Sequence, residues 1–146
     1  MLPKQISTSM KEHYQSAFYG VVKETQEQTG YTLPVEIESY VVMLLADKID
    51  KTNFLPENSF AESYLQLTNS RDAKSLGDNC LFVTGVFPNY GLDSNYYISI
   101  GQSSYLRISQ GMNKELFDSL SKHFIFIRDF IELSTTPPKL QSLDFF

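Results

Sequence analysis

The chain is short of several things, and each shortage excludes a class of function. It has one cysteine, Cys80, so an intramolecular disulfide framework is out, which fits a reducing compartment. Cys80 also lies in an apolar helical pattern behind Asp78 and Asn79, where a thiol behaves as a small buried hydrophobe rather than a nucleophile. Cations are outnumbered, with 12 Lys and Arg against 17 Asp and Glu and a net charge of −5. No basic cluster offsets this, so nucleic acid is not expected as a partner, because phosphate binding needs a surplus of Lys and Arg on one face.

Long apolar runs are missing too. The longest, Tyr40 to Ala46, falls well below the about 20 residues that span a bilayer, and MLPKQISTSM at residues 1–10 lacks the apolar core of a signal peptide. The expectation is a cytoplasmic protein with no membrane contact. There is no G-x-S-x-G elbow, no P-loop and no dinucleotide fingerprint. The two histidines, His13 and His123, have no carboxylate three residues before them, the spacing used by carboxylate-bridged metals in helix bundles. No catalytic residue, metal or cofactor is therefore expected, and the balance leans away from an enzyme.

What is present reads as a folded helical domain. Among 146 residues, 42% are hydrophobic, with nine Tyr and eleven Phe; a chain of that size can bury roughly 68 to 70% of its unfolded surface. Apolar residues recur at helical spacing through most of the chain. Ser9 with Glu12 makes a capping-box pattern ahead of Met10, Tyr14, Ala17, Phe18, Val21 and Val22, and Gly30 closes that helix. Thr32 and Pro34 suit the start of a second helix with Ile37, Tyr40, Val41, Leu44 and Leu45, ending near Asp50. Phe54 and Leu55 pin a connection, and Ser59 with Glu62 caps a short third helix.

Residues 70–109 form the centre of this reading, a helical hairpin rich in glycine and aromatics. Ser70 caps its first helix, which carries Ala73, Leu76, Gly77, Cys80, Leu81 and Thr84 on one face. Pro88-Asn89-Tyr90-Gly91 makes the turn, Asp93 or Ser94 caps the second helix, and Gly111 ends it. Gly77, Gly85 and Gly101 each cost about 1 kcal/mol relative to alanine in a helix; the expected compensation is close contact between helix backbones, with tyrosine rings sealing it. Gly20 is a further candidate for such contact. Asn113 then caps one last long helix with Leu116, Phe117, Leu120, Phe124, Ile127, Phe130 and Ile131 buried.

The fold class is thus all-α, a single-domain bundle of five or six helices over residues 1–133. Residues 134–146, STTPPKLQSLDFF, follow as an apolar C-terminal tail. Pro137 and Pro138 stop the helix, and Leu140, Leu143, Phe145 and Phe146 are costly to leave in water. The tail is expected to dock on its own domain, with docking onto another copy as the alternative.

The segments GDNCLFVTGVFP (77–88) and NYYISIGQSSY (95–105) are similar to an uncharacterised group of small helical bacterial proteins, through Gly-Asp, Leu-x-x-x-Gly-x-Phe-Pro and Tyr-Tyr-x-x-x-Gly-x-x-x-Tyr. The resemblance covers about a quarter of the chain. It implies a helical domain and no activity.

Two functions follow as expectations. The first is a non-enzymatic helical domain acting through protein contacts, as adaptor, regulator or homodimer, with Leu143, Phe145 and Phe146 as the partner-binding candidates. The second is a small-molecule site between the hairpin helices, lined by Asp78, Tyr97, Gly101 and Tyr105. Of these, Asp78 is the residue to watch: either it sits at the helix boundary beside Lys74 one turn back, or it is buried and must find donors, which tyrosines of the next helix could supply.

Overall fold

A computed structural model describes residues 2–50, 59–89, 93–108 and 111–136, with the backbone alone for residues 2–9 and 112. The regular structure among them is entirely helical: α1 (Leu2–Thr29), α2 (Val35–Lys48), α3 (Phe60–Leu65), α4 (Ser70–Val86), α5 (Ser94–Leu106), a 3-10 turn (Gly111–Asn113), α6 (Lys114–Lys122) and α7 (Phe124–Thr135). Phe54 and Leu55, the turn residues Tyr90 and Gly91, and the tail residues Leu140, Leu143, Phe145 and Phe146 lie outside the described residues. The chain divides into two compact units, residues 52–132 forming one and residues 1–51 with 133–146 the other.

In the first unit α1 packs on α2. Phe18, Val21 and Val22 of α1 meet the same core as Ile37, Val41, Leu44 and Leu45 of α2, all of them buried. Gly30 closes α1 with φ +79°, donating its amide to the Gln26 carbonyl at 2.9 Å. At the other end the expected cap fails: Ser9 is inside α1, which already starts at Leu2. The seven residues ahead of Ser9 contain one helix breaker, Pro3, and it sits in the first turn, where a missing amide does no harm. Pro34 precedes α2, as anticipated.

The second unit is built on α4 and α5, with α3 packed on both and α6 on α5. Local capping explains most of its helix starts. The Ser59 hydroxyl accepts from the Glu62 amide at 3.1 Å, and the Asp93 carboxylate from the Asn95 amide at 2.9 Å. For α4 the cap is Asn69 rather than Ser70: its side chain accepts the Asp72 amide at 2.8 Å and donates to the Asp72 carboxylate at 3.1 Å. A reciprocal pair with an acid three residues on satisfies two groups, which a serine one position later does not. Gly111 has φ +82°, yet it opens the 3-10 turn and α5 has already ended at Leu106.

The last long helix is in fact two, which brings the α-helices among the described residues to seven. It breaks at His123, φ −103° and ψ 21°. Just before the break, the Ser121 hydroxyl donates to the Gln102 carbonyl at 2.9 Å and the Gln102 amide donates to the Ser121 carbonyl at 3.2 Å. A side chain inserted into the ladder in this way is a known cause of a sharp helix bend. Phe117, Leu120, Phe124, Ile127, Phe130 and Ile131 remain buried across the break, as their spacing predicts, while Leu116 is only half-buried.

The glycines receive side chains more than backbones. A Cβ on Gly77 would stand 2.6 Å from the Tyr105 ring; one on Gly85 would meet Ile131 at 2.6 Å, with the Arg128 carbonyl at 3.4 Å. At Gly101 it would meet the Phe124 ring at 2.5 Å and the Cβ of Cys80 at 2.9 Å. Only the last brings the hairpin helices together in the expected sense. Gly20 has nothing within 4 Å, so the reading of it as a helix contact is overturned. Its face of α1 is exposed.

These two environments predict opposite signs for one substitution. Gly101→Ala should cost about 1 to 3 kcal/mol in urea unfolding, the range for overpacking a core, because the Cys80 Cβ cannot yield as a ring tip can. Gly20→Ala should stabilise by about 0.4 to 1 kcal/mol.

Candidate functional site

Of the four ligand-binding candidates, Asp78 and Tyr105 are brought together. Tyr105 is fully buried; its ring lies in the notch left by Gly77, and its hydroxyl donates to Asp78 Oδ1 at 2.7 Å. Asp78 Oδ2 accepts from Lys74 Nζ at 2.9 Å. Asp78 is itself buried, so it is at once the tyrosine-bonded residue and the partner of Lys74, two situations that the sequence presented as alternatives. Around the Tyr105 ring stand Phe117 and Phe124, at centroid distances of 5.8 and 6.0 Å.

Tyr97 and Gly101 have different neighbours. Gly101 faces Phe124 and Cys80. Tyr97 lies two helical turns from Tyr105, about 12 Å along the axis, and packs edge-on against Phe60 of α3 at 5.0 Å and against Tyr96 at 4.9 Å. Shared helical face does not make a shared site over that distance. Cys80 is fully buried, and that burial pushes its thiol pKa up, so the thiolate needed for nucleophilic chemistry is disfavoured.

The surface feature of the second unit is the edge formed by α3 and α5. Tyr96 at the start of α5 accepts the Ala61 amide on its hydroxyl at 3.0 Å. At the other end Arg107 stacks over the Tyr64 ring at 5.3 Å and donates to the Leu67 carbonyl at 3.3 Å. The six-residue α3 therefore runs in the same direction as α5, held at both ends. This edge leaves Leu65 81%, Leu106 54% and Tyr96 39% exposed. Leu65 and Arg107 did not stand out in the sequence; the signal available was a leucine ending a six-residue helix that has too few turns to bury two faces.

The first unit holds a polar cluster that was also missed. The Gln26 side chain accepts the Leu33 amide at 2.8 Å and donates to Glu38, which also pairs with Lys23 at 3.0 Å. Glu38 is buried. Burial alone would raise its pKa, but the hydrogen bond from Gln26 and the pairing with Lys23 outweigh it and the net shift is downward. Lys23 is raised by the same contact. Nearby, Ser134 Oγ donates to Thr25 Oγ1 at 3.0 Å, tying the end of α7 to α1.

His13 belongs to the first unit and His123 to the second. Among the described residues no group of three or more His, Cys, Asp or Glu stands close enough to hold a metal ion, and no helix there is long and apolar enough to cross a membrane. Comparison with protein-family models, curated proteins and solved structures finds no match for the chain.

Two outcomes follow from these clusters. Tyr105→Phe removes a buried donor from a carboxylate and should cost about 1.5 to 3 kcal/mol by chemical denaturation, whereas Lys74→Met, at a half-exposed ion pair, should cost under about 1 kcal/mol. A carboxylate with a lowered folded-state pKa adds stability that is present above its unfolded value and lost as pH falls through the folded one. Thermal melts from neutral pH down through and below the ordinary glutamate pKa of about 4.3 should therefore show an acid-side loss that is shallower in Glu38→Gln.

Proposed function

We propose that this chain is a non-enzymatic helical domain that works by binding protein, and that the α3–α5 edge is its contact face. The observation that carries this is the division of labour in the second unit. Asp78 and Tyr105 bond to each other inside it and Cys80 is buried, while Leu65 and Leu106 are exposed beside the Arg107–Tyr64 stack and Tyr96 is exposed at the other end of α5. Tyrosine and arginine are enriched among the residues that dominate binding energy at protein interfaces. Leu65 adds apolar area to this edge, since a side chain so exposed has most of it still to bury.

The net charge of −5 adds a condition on the partner. A basic or neutral protein surface approaches this chain without long-range repulsion, and Arg107 marks where an acidic side chain of that partner would dock. Self-association through the same edge is the homotypic version of the reading.

The test is affinity capture and sedimentation with the full chain against Leu65→Asp and Leu106→Asp variants. Burying a leucine side chain is worth about 1.5 to 3 kcal/mol, so a partner or a second copy should bind at least about tenfold more weakly to each variant, with the helical CD signal and Tm unchanged. Identical binding by wild type and both variants would remove the α3–α5 edge from the reading.

A further inference from the structure

The outward face of α7 carries apolar side chains that remain in water. Ile125 is 54% exposed and Phe126 41%, while Phe124, Ile127, Phe130 and Ile131 of the same helix are buried. Phe126 has a partner within its own chain as well, so Ile125 is the residue with more left to bury. Two charges flank the pair. Lys122 precedes Ile125 by three residues and Asp129 follows Phe126 by three, and at roughly 100° per residue the four share one arc of about 100°. The bend at His123 keeps that phase: the His123 amide still donates to the Ser119 carbonyl, and the His123 carbonyl accepts the Ile127 amide, both at 2.9 Å.

Both charges have capacity for a further partner. Lys122 is exposed and, among the described residues, pairs with no carboxylate. The Asp129 side chain is 55% exposed and accepts from Arg128 through Oδ1 at 2.6 Å; a carboxylate has about four acceptor sites, so that bond does not fill it.

The order cation, apolar, apolar, anion is its own complement about the point midway between residues 125 and 126. A second α7 laid antiparallel across that point sets Ile125 of each copy against Phe126 of the other. About 5 Å to either side of the centre, it also sets Lys122 of each copy against Asp129 of the other. A parallel arrangement would oppose Lys122 to Lys122 and Asp129 to Asp129, so the charges select the antiparallel one. A two-fold contact uses the same patch on both copies and requires this kind of self-complementarity. We propose that α7 makes a two-fold antiparallel contact with a second copy of this chain, centred on Ile125 and Phe126 and closed at both ends by Lys122–Asp129 pairs. One helix face of about two turns is small beside the roughly 800 Å2 per partner of a standard interface, so the contact is weak and forms at high concentration. It is separate from the α3–α5 edge and does not rest on it.

Charge exchange in the full chain tests it, by sedimentation equilibrium at low ionic strength, where exposed charges are less screened. Lys122→Glu and Asp129→Lys both change exposed side chains, and Glu132 still holds Arg128 at 2.9 Å when Asp129 is replaced; unchanged CD and Tm confirm the fold. Each variant alone turns two opposite-charge pairs into like-charge pairs and should dimerise at least about fivefold more weakly than wild type. An equimolar mixture of the two variants restores opposite charges at both ends and should associate to within about twofold of wild type. A wild-type chain that stays monomeric up to about 1 mM would overturn the proposal. So would single variants that weaken association without rescue by mixing. A dimer indifferent to both variants would overturn the α7 contact too, and its loss in Leu65→Asp would place the second copy on the α3–α5 edge instead.

Discussion

The second unit depends on one fit: a tyrosine ring placed where a glycine has left room, with its hydroxyl on the carboxylate next along the same helix. Gly77 and Asp78 are consecutive, so the notch and the acceptor are set by the same turn of α4, and Tyr105 can satisfy both at once. Any side chain at 77 would push the ring away from Asp78. Without the ring, a buried carboxylate would lose a hydroxyl donor, a loss that costs more than the bond itself contributes when made. Position along α4 and rotation of α5 are thereby fixed together.

From that contact the remaining helices of the unit take their places. The Tyr105 ring touches Phe117 of α6 and Phe124 of α7, and Phe124 in turn occupies the space at Gly101. Gln102, one residue on, grips Ser121 through two hydrogen bonds, and the helical stretch turns between Ser121 and Phe124. The break at His123 is thus a consequence of α5 holding both sides of it. In the first unit the equivalent role falls to Gln26, whose amide joins the α1–α2 corner at Leu33 to the buried Glu38. In both units buried polar groups hold helices in register.

The sequence made some of this legible and hid the rest for definite reasons. Caps that act over two or three residues were readable, as at Ser59 and Asp93, because donor and acceptor are close in the chain. Ser9 had the same pattern and failed, since nothing ahead of it stops the helix. Asp78 could be singled out as a carboxylate in an apolar helix, but whether Lys74 or a tyrosine would hold it depended on a residue 27 positions away. Tyr97 and Tyr105 share a stripe in sequence and have separate neighbours in space, because a stripe records which way residues face and not how far apart they lie. The pairs Gln26–Glu38 and Thr25–Ser134 left no trace, the second spanning 109 positions.

Helical class, the approximate span of most helices and the identity of most buried residues are written in the chain, because a 3.6-residue period and local turn chemistry are properties of neighbouring residues. Which ring enters which glycine notch, where the final helix breaks, and which apolar side chains stay in water were decided by tertiary structure. Those outcomes are set by competition among surfaces distant in sequence, and a glycine announces only that something comes close, not what.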